Sequence, residues 1–212
     1  MNNIPVFTTE NGAASLILNQ IPLTGNAYIK IQATQTPEAL LGECVSFCRA
    51  CGGEHIYASG HPFLERYPFH TAIIRMQCLL EGLPETDAAL FPVLPENVGK
   101  WRNIHNEKMK DVPNATLLTT GDEKIQLELG DGYFIHRNAQ LLGIGRAAGD
   151  TVDLVISCIP GAGGDVLLAL CSALTGDTVR LTVASTNTRA VKLYEKMGFL
   201  PTEEVSRWYR II

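Results

Sequence analysis

Val183-Ala184-Ser185-Thr186-Asn187-Thr188-Arg189-Ala190-Val191-Lys192-Leu193-Tyr194-Glu195-Lys196-Met197-Gly198-Phe199 reads as the end of a buried strand followed by a capped amphipathic helix. Asn187 stands where a side-chain oxygen can accept from the first free amides of a helix. Ala190, Val191, Tyr194 and Met197 recur at helical spacing and so share the inner face. Gly198 supplies the left-handed residue on which helices commonly end. Cap, periodicity and stop agree, so the residues themselves mark both boundaries.

Working outward, Val179 to Ala184 is a buried strand, reached from an apolar helix, Val166 to Leu174. That helix follows the turn Pro160-Gly161-Ala162-Gly163-Gly164-Asp165. Before the turn, Val152 to Ile159 is a nearly continuous apolar run, the pattern of a central strand. Tyr133 to Arg137 and Gln140 to Ala147 make a hairpin around Asn138. Ala88 to Val93 is a strand, and Pro95 and Asn97 start a helix with Val98, Trp101, His105 and Met109 inside. Asp122 to Leu129 is a shorter helix closed by Gly130. A final strand pair is expected around Phe199 and from Val205 to Arg210. The order β-α-α-β-β-β-α-β-α-β-β implies an α/β (α+β) fold, a mixed, mostly antiparallel twisted sheet flanked by helices.

The N-terminal half repeats the last part of this order. Tyr28 to Ala33 is a strand, Thr36 to Ala50 a helix and His55 to Ala58 a strand. Pro62 to Arg66 is a short helix and Thr71 to Met76 a strand. Ala58-Ser59-Gly60 falls where Ala184-Ser185-Thr186 falls in the other half, which points to an internal duplication of half a domain. Two spans are expected, 1–83 and 88–212, joined by Leu83-Pro84-Glu85-Thr86.

A strand that runs into a glycine-rich turn and then a helix is an anion cradle, because free amides and the helix dipole both face the ligand. Gly161, Gly163 and Gly164 let a ligand approach that backbone. The spacing is neither a dinucleotide fingerprint nor a P-loop. With this turn upstream, Asn187-x-x-Ala190-x-x-Leu193-Tyr194-x-x-x-Gly198-Phe199 closely resembles the signature of the GNAT superfamily of CoA-dependent N-acyltransferases. The resemblance covers about residues 88 to 210, and the element order agrees with it.

The resemblance implies a transfer of an acetyl or other short acyl group from acetyl-CoA to a primary amine. The thioester arm of the cofactor would run beside Ile156 to Ile159, with the pyrophosphate on Gly161, Ala162, Gly163 and Gly164. Asn187 and Arg189 would complete the cofactor site, with Lys192 as a further cation. Cys158 stands where the family carries Gln or Arg, the turn is short, and Asp165 adds a carboxylate beside the anion site. Tyr194 occupies the position that protonates the departing thiolate; a phenol is protonated at neutral pH and can donate to that sulfur. Its bland alternative is an aromatic packed beneath the sheet. Asp153 is the candidate base, with turn formation as its alternative. A non-catalytic CoA- or metabolite-binding module on the same fold is the rival function. The N-terminal span lacks a glycine turn, having Gln35-Thr36-Pro37 there and Gly60-His61 in place of the capping Asn, and is expected to hold no cofactor.

Composition bounds the partners. A formal net charge of −5 lacks the basic face that nucleic acid binding requires. Met1 to Phe7 carries no address signal and no run is long enough for a membrane span, so a cytoplasmic protein is expected. Its partner would be a small-molecule or peptide amine, and its state monomer or homodimer. Cys44, Cys48 and Cys51 share a helical face and are expected to be buried thiols, not metal ligands.

Overall fold

Alternating and continuous apolar runs settle into eleven strands among residues 5–212, the part of the chain that the computed structural model describes. They divide into two units. Unit 1 holds residues 5–73 together with Glu204–Ile212, and unit 2 is Ile74–Glu203. The sequence places its linker at Leu83–Thr86, whereas the units divide inside two strands. The assessment of Met1 to Phe7 lies partly outside the described residues.

In unit 1, β1 (Val6–Thr9) and β2 (Gly12–Ile17) form an antiparallel hairpin ahead of the elements the sequence marks. A single turn, α1 (Ile21–Thr24), leads to β3 (Asn26–Thr34), antiparallel to β2. Helix α2 (Pro37–Ala50) then crosses over to β4 (His55–Ser59), which runs parallel to β3. Leu40, Leu41, Cys44 and Cys48 of α2 pack on Ala27, Ile29, Ile31, Ile56 and Ala58, alternate residues of β3 and β4 on one sheet face. A 3-10 turn, Pro62–Arg66, follows, and His61 caps it, its Nδ1 accepting from the Phe63 amide at 3.1 Å. The chain leaves through β5 (Phe69–Leu79), whose residues from Ile74 onward belong to unit 2.

Cys51 departs from the expected buried face. It is exposed just past the end of α2, while Cys44 and Cys48 are buried. Burial pushes the thiols of Cys44 and Cys48 up to about 11 and about 12. Because the thiolate is the reactive form, Ellman's reagent on the folded protein should modify Cys51 first. Cys51→Ser should remove the fastest phase, and Cys44, Cys48 and the buried Cys171 should react only on unfolding. A fast phase that survives in Cys51→Ser would contradict this order.

Unit 2 opens its sheet with β5 beside β10 and runs β5-β10-β9-β8-β7-β6. The elements are β6 (Ala89–Pro92), α3 (Val98–Met109), α4 (Thr120–Leu129), β7 (Gly132–Arg137), β8 (Gln140–Ala148), β9 (Thr151–Ser157), α5 (Gly163–Cys171), β10 (Thr178–Ala184) and α6 (Thr188–Lys196). Asn138 and Ala139 both take positive φ, 51° and 63°, as the two-residue turn between β7 and β8 requires. Strands β9 and β10 are parallel; the other pairs from β6 to β9 are antiparallel. Helix α5 buries Val166, Leu167, Ala169 and Leu170 on one face against Ile135, Leu142, Val152 and Leu181. On the other face α3 sets Val98 and Trp101 against Phe134, Ile144 and Ile156. A Cβ at Gly145 would lie 2.4 Å from Leu170 Cδ1, so its absence lets α5 sit close to β8.

Two bulges adjust which residues face which helix. Ile135 pairs with Gly143 and His136 with Leu141, leaving Leu142 without a partner. Arg146 pairs with Leu154 and Ala147 with Val152, leaving Asp153 extra on β9. The last strand, β11 (Leu200–Arg210), is one continuous element, not the expected pair. Its residues from Glu204 onward return to unit 1, where Trp208 lies opposite Ser59 in antiparallel pairing with β4. Each half thus presents a hairpin, an antiparallel third strand, a crossover helix and a parallel fourth strand.

Candidate functional site

The chain leaves β9 with its backbone amides largely uncommitted. Cys158 N–H donates to the carbonyl of the bulged Leu142 at 2.8 Å, which fixes the strand end. Ser157 Oγ donates to the Ile159 carbonyl, and Ala162 N–H donates to that same carbonyl at 3.2 Å. The first bond of α5 runs from Val166 N–H to the Ala162 carbonyl at 3.0 Å. The amides of Ile159, Gly161, Gly163, Gly164 and Asp165 therefore have no acceptor among the described residues. Gly161 has φ of 87°, and a Cβ there would meet nothing within 4 Å. The turn is a set of open donors at the positive end of a helix.

Helix α6 stands against that helix start. A Cβ on Gly163 would lie 3.0 Å from Leu193 Cδ2, and one on Gly164 would lie 3.8 Å from Met197 Sδ. Asn187 caps α6 as expected, its Oδ1 accepting from Ala190 N–H at 3.3 Å, and Gly198 follows with φ of 88°. Arg189 and Lys192 are exposed and form no ion pair among the described residues. The Asp165 carboxylate is not left facing the turn alone, because Arg137 pairs with it at 3.2 Å and with Asp87 at 3.3 Å. Arg137 carries no sequence signal for this role; only the fold brings the end of β7 to α5.

Cys158 is half-buried, and burial raises its thiol above the ordinary range, with Lys108 and Lys100 of α3 partly opposing and Glu107 adding to the rise. It offers a weak neutral donor where a guanidinium or amide would offer strong ones.

Tyr194 is buried in the α5 core with its ring 5.9 Å from that of Phe199. Its hydroxyl makes no hydrogen bond among the described residues, and burial pushes the phenol up to about 12. A buried phenol normally finds an acceptor. Both the packing role and the donor role are therefore open to this side chain, and the donor lacks its acceptor.

Asp153, on the β9 bulge, lies in a different electrostatic neighbourhood. Burial raises its carboxyl above the usual range, Arg146 opposes the rise and Asp131 adds to it. Arg146 is itself held by Asp131 through Nη2–Oδ2 at 2.7 Å and Nε–Oδ1 at 3.1 Å, and Gln126 Nε2 donates to Asp131 Oδ1 at 2.9 Å. The sequence marks neither Arg146 nor Asp131, which meet Gln126 and Asp153 only in the fold. No group of three His, Cys, Asp or Glu side chains among the described residues could hold a metal ion, and no described helix is long and apolar enough to cross a membrane.

No protein-family model matches the chain, nor does any curated protein. Among solved structures it is similar to a functionally unknown conserved protein from Staphylococcus epidermidis ATCC 12228, with TM-score 0.59 and 12% identity over 99% of this chain and 94% of that one. It is similar to a tandem GNAT protein from the clavulanic acid biosynthesis pathway, with TM-score 0.54 and 13% identity over 94% of this chain and 78% of that one. A GCN5-related N-acetyltransferase from Kribbella flavida gives TM-score 0.58 and 11% identity over 96% of this chain and 58% of that one. At such identities the shared property is the fold: a mixed, mostly antiparallel sheet with flanking helices, built with a repeat.

Proposed function

We propose that this chain, which carries the GNAT fold, transfers an acetyl or other short acyl group from coenzyme A to a primary amine by direct transfer. The observation that carries the proposal is the set of uncommitted amides of Ile159, Gly161, Gly163, Gly164 and Asp165, at the start of α5 and against the Asn187-capped α6. The residues fit acetyl-CoA: Gly161, Ala162, Gly163 and Gly164 would hold its pyrophosphate, and Ile156 and Ile159 would flank its arm. Cys158 would border that arm, Asn187 would shape the helix start, and Arg189 would add charge. When bound, acetyl-CoA supplies an activated acyl thioester.

The other steps belong to the chain. Asp153 would take a proton from the acceptor ammonium, directly or through water, since its raised carboxyl is a stronger base than an ordinary aspartate. The Ile159 amide would donate toward the carbonyl oxygen as negative charge builds there. Tyr194 would give its proton to the leaving sulfur, completing the donor's missing hydrogen bond. The acceptor would be a small molecule or peptide amine and the compartment the cytoplasm. Monomer or homodimer would serve equally.

Calorimetric titration with acetyl-CoA and with free CoA tests the proposal. Both should bind, and saturating acetyl-CoA should raise Tm by mass action, about 2.7 kcal/mol at a hundredfold excess over Kd. Gly163→Trp should abolish binding by blocking approach to the turn amides, a Cβ there already lying 3.0 Å from Leu193 Cδ2. Absence of binding at millimolar cofactor would overturn the assignment. A second function, a non-catalytic CoA- or metabolite-binding module, is favoured by Cys158 in the place of a strong donor; it requires binding without turnover.

A further inference from the structure

A pocket of about 490 Å³ lies on the sheet face of β6 and β7 beside α3, within the range of small-molecule sites. We propose that it is a second binding site, separate from the glycine turn, for a small aromatic carboxylate. Phe91 and Phe134 line it, and the His136 ring lies 5.2 Å edge-on from Phe91 and 6.5 Å from Phe134. Phe91 is 51% exposed on the outermost strand, so an apolar ring laid against it would remove aromatic surface from water.

The polar groups choose the sign of the ligand. His136 Nδ1 is buried without a hydrogen-bond partner. A bare buried lone pair costs less than a buried N–H with no acceptor, which favours the tautomer with its proton on Nε2. That nitrogen is the one left for a ligand, and it donates. Two cations, Lys100 and Arg137, and one carboxylate, Asp87, line the pocket. Arg137 is committed to Asp87 and Asp165, whereas Lys100 is exposed and forms no ion pair among the described residues. One free ammonium and one N–H donor above two aromatic rings match a planar acid, and they mismatch an amine, which would meet the ammonium.

The test is calorimetry on the full chain with 2-naphthoate and its neutral counterpart 2-naphthamide. The naphthoate should bind saturably and about tenfold tighter than the amide, the usual worth of a hydrogen bond to a charged group. Lys100→Glu should erase that preference, and His136→Phe should weaken naphthoate binding about tenfold while the amide is spared. Lys124→Ala, on the exposed face of α4, should change neither. Lys100 is exposed, so its variant tests the site without endangering the fold. Failure of naphthoate to saturate at millimolar concentration, or equal binding to wild type and Lys100→Glu, would overturn the site. So would competitive displacement of naphthoate by acetyl-CoA, which would make the pocket part of the cofactor cleft. Absence of acetyl-CoA binding alone would sink the acyltransferase proposal and leave this site standing.

Discussion

Tyr194→Phe should slow acyl transfer by about 10²–10⁴-fold, the range for a positioned general acid, while acetyl-CoA affinity stays within about twofold. The cofactor would be gripped by turn amides that the substitution does not touch. Packing against Phe199 survives, because the ring is kept. Stability offers a second readout. The hydroxyl has no acceptor among the described residues, so deleting it removes a desolvated donor and should not destabilise the chain below pH 9. Burial lifts the phenol from 10.0 to about 12 in the folded state, so the folded form holds its proton where the unfolded form has lost it. The wild type therefore keeps full stability below pH 10 and loses roughly 2–3 kcal/mol as pH rises toward 12. The Phe variant should be spared that loss. An unchanged transfer rate, with chemistry shown to be limiting, would reduce Tyr194 to a packing residue. An unchanged alkaline unfolding curve would mean its hydroxyl is better solvated than the structure indicates.

Asp131→Ala should lower Tm by roughly 6–12 °C. Asp131 is 7% exposed and accepts three hydrogen bonds from Arg146 and one from Gln126. Removing one partner of a buried pair costs about 3–5 kcal/mol, and the low end applies because the Arg146 side chain is 30% exposed and keeps some hydration. At roughly 2–4 °C per kcal/mol for a chain of this size, the drop follows. A second effect distinguishes position from mere stability. Asp131 pushes the Asp153 carboxyl up, so its loss should move the acid limb of the transfer rate profile to lower pH. Asp131→Asn, which keeps the shape and a weaker acceptor, should cost less in Tm and move the limb the same way. A Tm change under about 2 °C in the Ala variant would show that Arg146 finds other partners, and a fixed acid limb would remove Asp153 from the rate profile.

The parts of the fold that were legible in the sequence were those whose boundaries are local chemistry. Asn187 and Gly198 bracket α6 because a cap and a left-handed stop act within one turn of the helix. The hairpin at Asn138 and the close of α4 at Gly130 follow for the same reason. The hairpin of β1 and β2 does carry a local signal, Asn11-Gly12, outside the elements read from the sequence, and the strand expected as a pair around Phe199 and from Val205 runs unbroken through Pro201. In the candidate site, the glycine turn and its helix were legible, since free amides follow from turn chemistry. The bulges at Leu142 and Asp153 were not: Gly143 beside Leu142 does not by itself fix the register, and neither glycine nor proline adjoins Asp153. Nor were the partners of Asp165 and Asp153. Arg137 and Arg146 reach them across strand ends that only tertiary packing brings together.

The return of β11 to unit 1 sets an order on synthesis. Residues 204–212 are made after all of unit 2, yet they supply the strand that covers β4. At about 5–20 residues per second, residues 5–73 leave the ribosome on the order of ten seconds before their closing strand exists. Throughout that interval β4 presents an open row of backbone donors and acceptors, the kind of edge that recruits stray strands. Unit 2, made between the two parts of unit 1, can finish first. A chain truncated after Glu203 should therefore yield to protease in residues 5–73 while residues 74–203 resist, and the chain carrying residues 204–212 should resist in both.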